Sequence, residues 1–318
     1  MIHRPALGTD PVTNHRILQD LLETESPGKL ELPPGRHVLA DGLLVPGGWT
    51  VTGTSAADTT LVAAGRTGHP VLHVLGSDVT IGDLTLVPAP SDPGEHGGDR
   101  GTGLTIGEYL YRSEPSWISG VEVRRVRVDH DSLRTANGVG VMGAVRDVTL
   151  HDVEVTGGYT GLAVHWGAVG ADVSSIAGPT YHPHRLTVSG LRVSGAIEGF
   201  YLSSVHDVTV HGAVLHDVEM GFRLLPGDNT DRFVSTPDIG ARITVSDVDV
   251  RWNGPLYAVR IAGWGRSEID GVVSVLAYRD TVVRDCRLAG TGTGASWSPV
   301  MVEQAPGVAL RDITIATA

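Results

Sequence analysis

The sequence has one cysteine, Cys286, one lysine, Lys29, and three phenylalanines in 318 residues. A single cysteine excludes an intrachain disulfide. With aromatics at 5%, a core has to come from Val, Ile, Leu and Ala. No stretch approaches the ~20 apolar residues of a membrane span. The opening Met-Ile-His-Arg-Pro starts no apolar run of signal-peptide length, so the expectation is a cytoplasmic protein with no membrane partner. A formal charge of −12 argues against a nucleic-acid partner, which needs a basic face to neutralise phosphates. An anionic substrate held by local arginines stays open. Metal-ligand spacings, phosphate loops and nucleophile elbows are absent from the pattern. Beyond residues 14–25 there is no sustained helical period, which excludes a bundle or a doubly wound sheet.

What is present is a repeat. An apolar tripeptide, a polar or glycine dipeptide and a second apolar tripeptide recur eight times. The unit reads VTI-GD-LTL from Val79, VEV-RR-VRV from Val121, VTL-HD-VEV from Val148 and LTV-SG-LRV from Leu186. It returns as VTV-HG-AVL from Val208, ITV-SD-VDV from Ile243, TVV-RD-CRL from Thr281 and VAL-RD-ITI from Val308. The tripeptides alternate with the strand period of two, and the dipeptide is a sharp bend. A third short strand interleaves, usually opened by glycine: Gly103, Gly138, Gly161, Gly199 and Gly221, with Val71, Ala258 and Val300 opening its variants. Three strands per coil predict an all-β chain wound as one right-handed parallel β-helix over residues 1–318. Residues 14–25 would cap its first end as a short helix, and 71–316 would form the regular coils. Polar residues in the bends, such as His151, Asp152, His211 and Asp285, are expected to satisfy turn backbone, and Cys286 to be a small core side chain.

Three stretches carry a family resemblance: Lys29-Leu-Glu-Leu-Pro-Pro-Gly-Arg-His-Val, Gly48-Trp-Thr-Val-Thr-Gly and Thr59-Thr-Leu-Val. They resemble the N-terminal region of the pectate-lyase, or pectin-lyase-like, superfamily, with His37 standing where an aromatic is usual. The resemblance implies the β-helix and a substrate cleft across the outer face of one sheet, here the glycine-led one. It implies no single activity, because this fold hosts many chemistries.

Alternation then selects the outward residues of that sheet. They are His73, Thr105, Gly140, Ala163, Tyr201, Arg223, Arg260 and Met301, with His165, Ser203 and Glu303 one step further along. Tyr201, His165, Arg223 and Arg260 would form a ladder. The arginines would bind a carboxylate bidentately, favour the ionised form of a neighbouring tyrosine and stabilise an enolate. Alternatively, the column is an ordinary polar sheet face. The loop Asp129-His130-Asp131-Ser132 offers His130 and Asp131 as acid or base groups and admits a divalent cation such as Ca2+ as the weaker reading, beside a solvated polar turn. It resembles the "W-I-D-H-C-S-L" segment of pectate lyases without the tryptophan, so the calcium role does not carry over. Turns 165–183 and 225–240 would wall the cleft. They contribute Trp166 and Asp228; Trp166 and Trp264 would either stack on a substrate ring or plug loop packing. Asn229-Thr230-Asp231 echoes a polygalacturonase motif, but the "D-D", "G-H-G" and "R-I-K" signatures are missing.

Three functions compete. The first is a lyase, epimerase or isomerase moving a proton on a sugar-like or carboxylate-bearing substrate, with catalytic Tyr201, His165, His130 and Asp131 and substrate-binding Arg223, Arg260, Trp166, Trp264 and Asp228. The second is a small-molecule biosynthetic enzyme, a cyclase or dehydratase, with a closed pocket. The third is a non-catalytic carbohydrate-binding β-helix. No cofactor is called for, and the oligomeric state is left open.

Overall fold

The structure is a computed structural model that describes residues 1–64, 70–89, 101–130, 136–170, 179–226, 238–255, 257–263, 267–269, 272–274, 277–290 and 298–317. Its strands stack in parallel, coil upon coil, into a right-handed β-helix. A 16-stranded sheet takes both tripeptides of each unit, and a 9-stranded sheet takes the glycine-led strands. In some coils the unit is one bent strand, such as Val121–Asp129 or Ile243–Trp252. In others it breaks at the dipeptide, as in His184–Ser189 and Arg192–Ser194. Register is kept residue for residue: Val123 pairs with Leu150, Leu150 with Val188, Val188 with Val210 and Val210 with Val245. All five are buried, so each coil covers the apolar face of its neighbour.

The bend has one backbone cause. Its second residue is left-handed in all eight units: Asp83, Arg125, Asp152, Gly190, Gly212, Asp247, Asp285 and Asp312, with φ between 51° and 69°. Asp and Gly fill seven of these eight places because they tolerate that conformation best. A second left-handed residue stands immediately before each first tripeptide: Asp78, Gly120, Asp147, Arg185, Asp207, Arg242, Asp280 and Gly307. These corners bring Asp and Arg of successive coils together, and Arg125, Arg185 and Arg242 donate bidentately to Asp83, Asp147 and Asp207. Bend histidines also pair between coils. The His151 Nδ1 lies 2.9 Å from Ser189 Oγ, and His211 Nδ1 lies 3.2 Å from Ser246 Oγ, in place of the backbone contacts expected of them.

The glycine that opens the third strand is a packing requirement. A Cβ on Gly138 would lie 2.5 Å from Val155 Cγ1 and 2.7 Å from the Gly161 carbonyl oxygen. The inward column of this sheet runs Leu104, Val139, Leu162, Phe200, Phe222 and Val259. Within it Phe200 and Phe222 stack with centroids 4.6 Å apart and planes 7° from parallel. Phe222→Ala is therefore expected to cost about 3–5 kcal/mol through the cavity it leaves, measured as a loss of stability in urea.

The capping helix spans Pro11–Thr24 and starts before residue 14. Asp10 is its N-cap, accepting the Thr13 N–H at 2.9 Å, and Pro11 opens the first turn. Leu18 and Leu22 bury the helix against the first coils. Stacking reaches back beyond residue 71: Lys29–Glu31 pairs with Thr50–Thr52, which pairs with the strand from Thr80. His37 is buried, its Nε2 2.9 Å from the Pro33 carbonyl. Cys286 is buried as expected, and burial pushes its thiol up to about 11.

Candidate active site

The outer face of the glycine-led sheet divides in two. On its early coils the outward residues are covered: His73, Thr105 and Ala163 are 4%, 0% and 4% exposed. A small sheet walls that end, with Leu110–Tyr111 parallel to Gly167–Val169 and Gly167–Val169 antiparallel to Thr180–Tyr181. Tyr111, Tyr181 and Trp117 pack together there. The Ala144 N–H donates to the Tyr111 hydroxyl at 2.8 Å, and burial pushes that phenol up to about 12. On the later coils the outward residues Tyr201, Arg223, Arg260 and Met301 are half-buried and paired in register. Three coil spacings make this open strip about 14 Å long.

Tyr201 lies between an imidazole and a guanidinium. The His165 ring is 6.0 Å from it, centroid to centroid, and the Arg223 Cζ lies 4.6 Å over it on the other side. The His165 Nδ1 is 2.8 Å from the Trp166 carbonyl oxygen. A carbonyl only accepts, so Nδ1 carries the proton and Nε2 is the acceptor nitrogen of the neutral ring. Tyr109 packs edge-on against His165 at 5.0 Å.

Beneath this strip is a buried carboxylate that the sequence reading missed. Glu198, 1% exposed, accepts bidentately from Arg223 Nε and Nη2, the latter at 2.7 Å, and from Thr160 Oγ1 at 3.2 Å. Burial pushes the Glu198 carboxyl above the usual carboxylate range, while Arg223 and Thr160 pull against it. Burial likewise works against the Arg223 charge, but Glu198 outweighs it and holds the guanidinium above its ordinary value. Arg223 is thus a fixed cation with one edge already committed. Arg260 differs: its bonds to Glu303, at 3.1 and 3.3 Å, join side chains 37% and 40% exposed. Such an exposed pair is worth about 1 kcal/mol or less, so a ligand carboxylate can displace it.

No protein-family model matches the sequence, and no curated protein matches it. Among solved structures, a polygalacturonase from Erwinia carotovora ssp. carotovora superposes with a TM-score of 0.57 at 12% identity, over 99% of this chain and 95% of that one. The enzymatically active domain of bacteriophage CBA120 tailspike protein 2 superposes with a TM-score of 0.54 at 9% identity. This chain is covered over 94% of its length there and spans 40% of that one. The fold is the right-handed parallel β-helix that these structures share. At these identities the likeness is one of architecture.

On this β-helical frame several expected site residues fall elsewhere. Trp166 is 0% exposed and packed by Tyr109 at 5.1 Å and His165 at 5.3 Å, so it backs His165 and offers no face to a ligand ring. His130 is 2% exposed, closed in at its corner against Gly158, and burial lowers it to about 4. That enclosure removes it from the acid and base groups of the strip. Ser203 is also fully buried. Asp131, Asp228 and Trp264 lie outside the described residues, as does most of the turn 225–240. Among the described residues no three His, Cys, Asp or Glu side chains converge as metal ligands.

Two buried imidazoles make stability pH-dependent. Burial lowers both His130 and His182 to about 4, so both are neutral in the native state near pH 5, while the unfolded chain binds protons below about 6.5. Stability is then complete above that value and falls as pH drops from about 6.5 to 4, by a few kcal/mol for each group. Urea midpoints are expected to decline steeply over this range; a flat profile would contradict the burial of both rings.

Proposed function

We propose that the chain is an enzyme that moves a proton on a carboxylate-bearing saccharide, as a lyase, epimerase or isomerase, on the open strip over Tyr201. The observation that carries this reading is Tyr201 set between His165 and the fixed guanidinium of Arg223. The saccharide class draws support from the polygalacturonase that shares the fold. The internal void near Tyr278, about 10 Å³ and lined by residues such as Leu202 and Leu224, is too small for a substrate, which favours the open strip over a closed pocket there.

Arg260 takes the substrate carboxylate, releasing Glu303, because its own pair is exposed. A proton α to that carboxylate then leaves as negative charge spreads onto the carboxylate oxygens. Arg260 neutralises that charge, and Arg223 stabilises a Tyr201 phenolate by proximity. Tyr201 and His165 share the proton work. In elimination one removes the α proton and the other protonates the departing oxygen. In epimerisation the second returns a proton to the opposite face. The test is a panel of uronate polysaccharides, read for a new double bond by ultraviolet absorbance and for an inverted centre by NMR. Tyr201→Phe, His165→Gln and Arg260→Ala are each expected to lose turnover on the substrate the native protein uses, Arg260→Ala chiefly through KM. Native turnover retained in all three would overturn the assignment, and binding without turnover by the native protein would make the strip a binding surface only.

A further inference from the structure

The open strip has a closed end, and that end lies directly beside Tyr201. Thr105, Gly140 and Ala163, the outward residues of three successive coils, are all buried. Tyr201, paired in register with Ala163 from the next coil, is half-buried, as are Arg223, Arg260 and Met301 after it. The change from covered to open therefore falls within one coil spacing, about 4.8 Å. The chain itself builds the stop. Straight after His165 and Trp166 it leaves the sheet as Gly167–Val169 and joins the wall, where the Ala168 N–H donates to the Tyr109 carbonyl at 2.9 Å. The Tyr109 ring packs on both His165 and Trp166, at 5.0 and 5.1 Å, and ties the wall to the site.

We propose that the strip accepts the terminal unit of a saccharide chain, with the reducing end against the wall and the rest of the chain running over Arg260 toward Met301. This placement rests on the proton-transfer role given above to Tyr201 and His165, and narrows the substrate to chain ends. A unit whose reacting carbon stands over Tyr201 meets covered coils on one side, so the chain continues on the other side alone. The chemistry sets which end this is. In a 4-linked uronate the carboxylate and the leaving glycosidic oxygen sit on adjacent ring carbons, on the side of the ring away from the anomeric carbon. Arg260 lies two coils beyond Tyr201. A carboxylate held there points both groups up the strip and turns the anomeric carbon to the wall. In elimination the C–H bond beside the carboxylate gives its proton to the base, and its electron pair forms the double bond to the next carbon as the C–O bond to the chain breaks. The departing oxygen takes the proton of the acid group and becomes the anomeric hydroxyl of a chain one unit shorter. The terminal unit leaves as a single unsaturated uronate, and the shortened chain presents a fresh reducing end. An epimerase on this strip would invert the terminal unit alone.

The test takes the uronate polymer that the native protein turns over and sizes the products at early times. Unsaturated monomer is expected as the first small product, with the viscosity of the solution almost unchanged; for an epimerase, NMR should find inverted units at chain ends alone. A trisaccharide of the same uronate carrying a bulky aglycone at its reducing end should lose kcat/KM by about 100-fold, because its terminal unit cannot reach the near-attack position. The same group at the non-reducing end should change kcat/KM little. Products of mixed length, inversion at internal units, or a reducing-end aglycone without effect would overturn the proposal and leave the proton chemistry standing. No turnover of any uronate would overturn both.

Discussion

Tyr201→Phe is expected to lower kcat by about 10²–10⁴-fold, the usual worth of a positioned acid or base, and to leave the fold intact. The ring stays, so the packing against His165 and the stacking under Arg223 stay with it. Only the hydroxyl goes. An effect confined to kcat would mark a group that acts in the transition state, whereas a rise in KM alone would mark Tyr201 as a binding surface. Unchanged thermal unfolding would separate either outcome from a loss of structure.

The second large effect is on stability. Arg223→Ala removes the partner of a carboxylate that is 1% exposed, and breaking a buried ion pair from one side costs about 3–5 kcal/mol. Glu198→Ala should cost less, because the Arg223 side chain, at 21% exposure, can turn toward water. The double replacement Glu198→Gln with Arg223→Met should recover most of the loss. The single variant also carries a pH signature. Without Arg223 to pull against burial, the Glu198 carboxyl rises further and stays protonated in the native state over a range where the unfolded chain has lost its proton. The stability lost on Arg223→Ala should therefore be smaller at mildly acid than at neutral pH, a contribution opposite in sign to that of the two histidines. Urea unfolding of both variants at the two pH values checks this, and equal losses at both pH values would contradict it.

The fold was legible because its determinants are local. A period of two, a left-handed Asp or Gly at seven of the eight bends and a glycine opening five of the eight third strands are all properties of short segments. Alternation likewise brings Tyr201 opposite Arg223, as found. The second left-handed corner escaped notice because its residues, such as Asp147 and Arg185, lie outside the apolar tripeptides that mark the repeat. The Asp10-Pro11 start signal lies before the apolar spacing that marks residues 14–25, so that spacing alone places the helix too late. What depends on distant segments could not be read. The depth of Glu198 follows from Arg223 in the next coil, and its one hint was a carboxylate three residues before Tyr201, where earlier coils carry Thr160 and Asn137. Trp166 looked available because nothing nearby in sequence announces Tyr109 packing on it. His130 reads as a loop residue, but the corner closes over it.

The proposed chemistry requires the outer strip from Tyr201 to Met301 to be the surface that meets substrate. Its most direct test is the structure of a complex with an acidic oligosaccharide, made with Tyr201→Phe so that turnover is stopped. The expected result is a ligand lying along that strip, its carboxylate in hydrogen-bond contact with Arg260 and its reacting carbon over residue 201. A ligand seated on the 16-stranded sheet or against the covered early coils would contradict it.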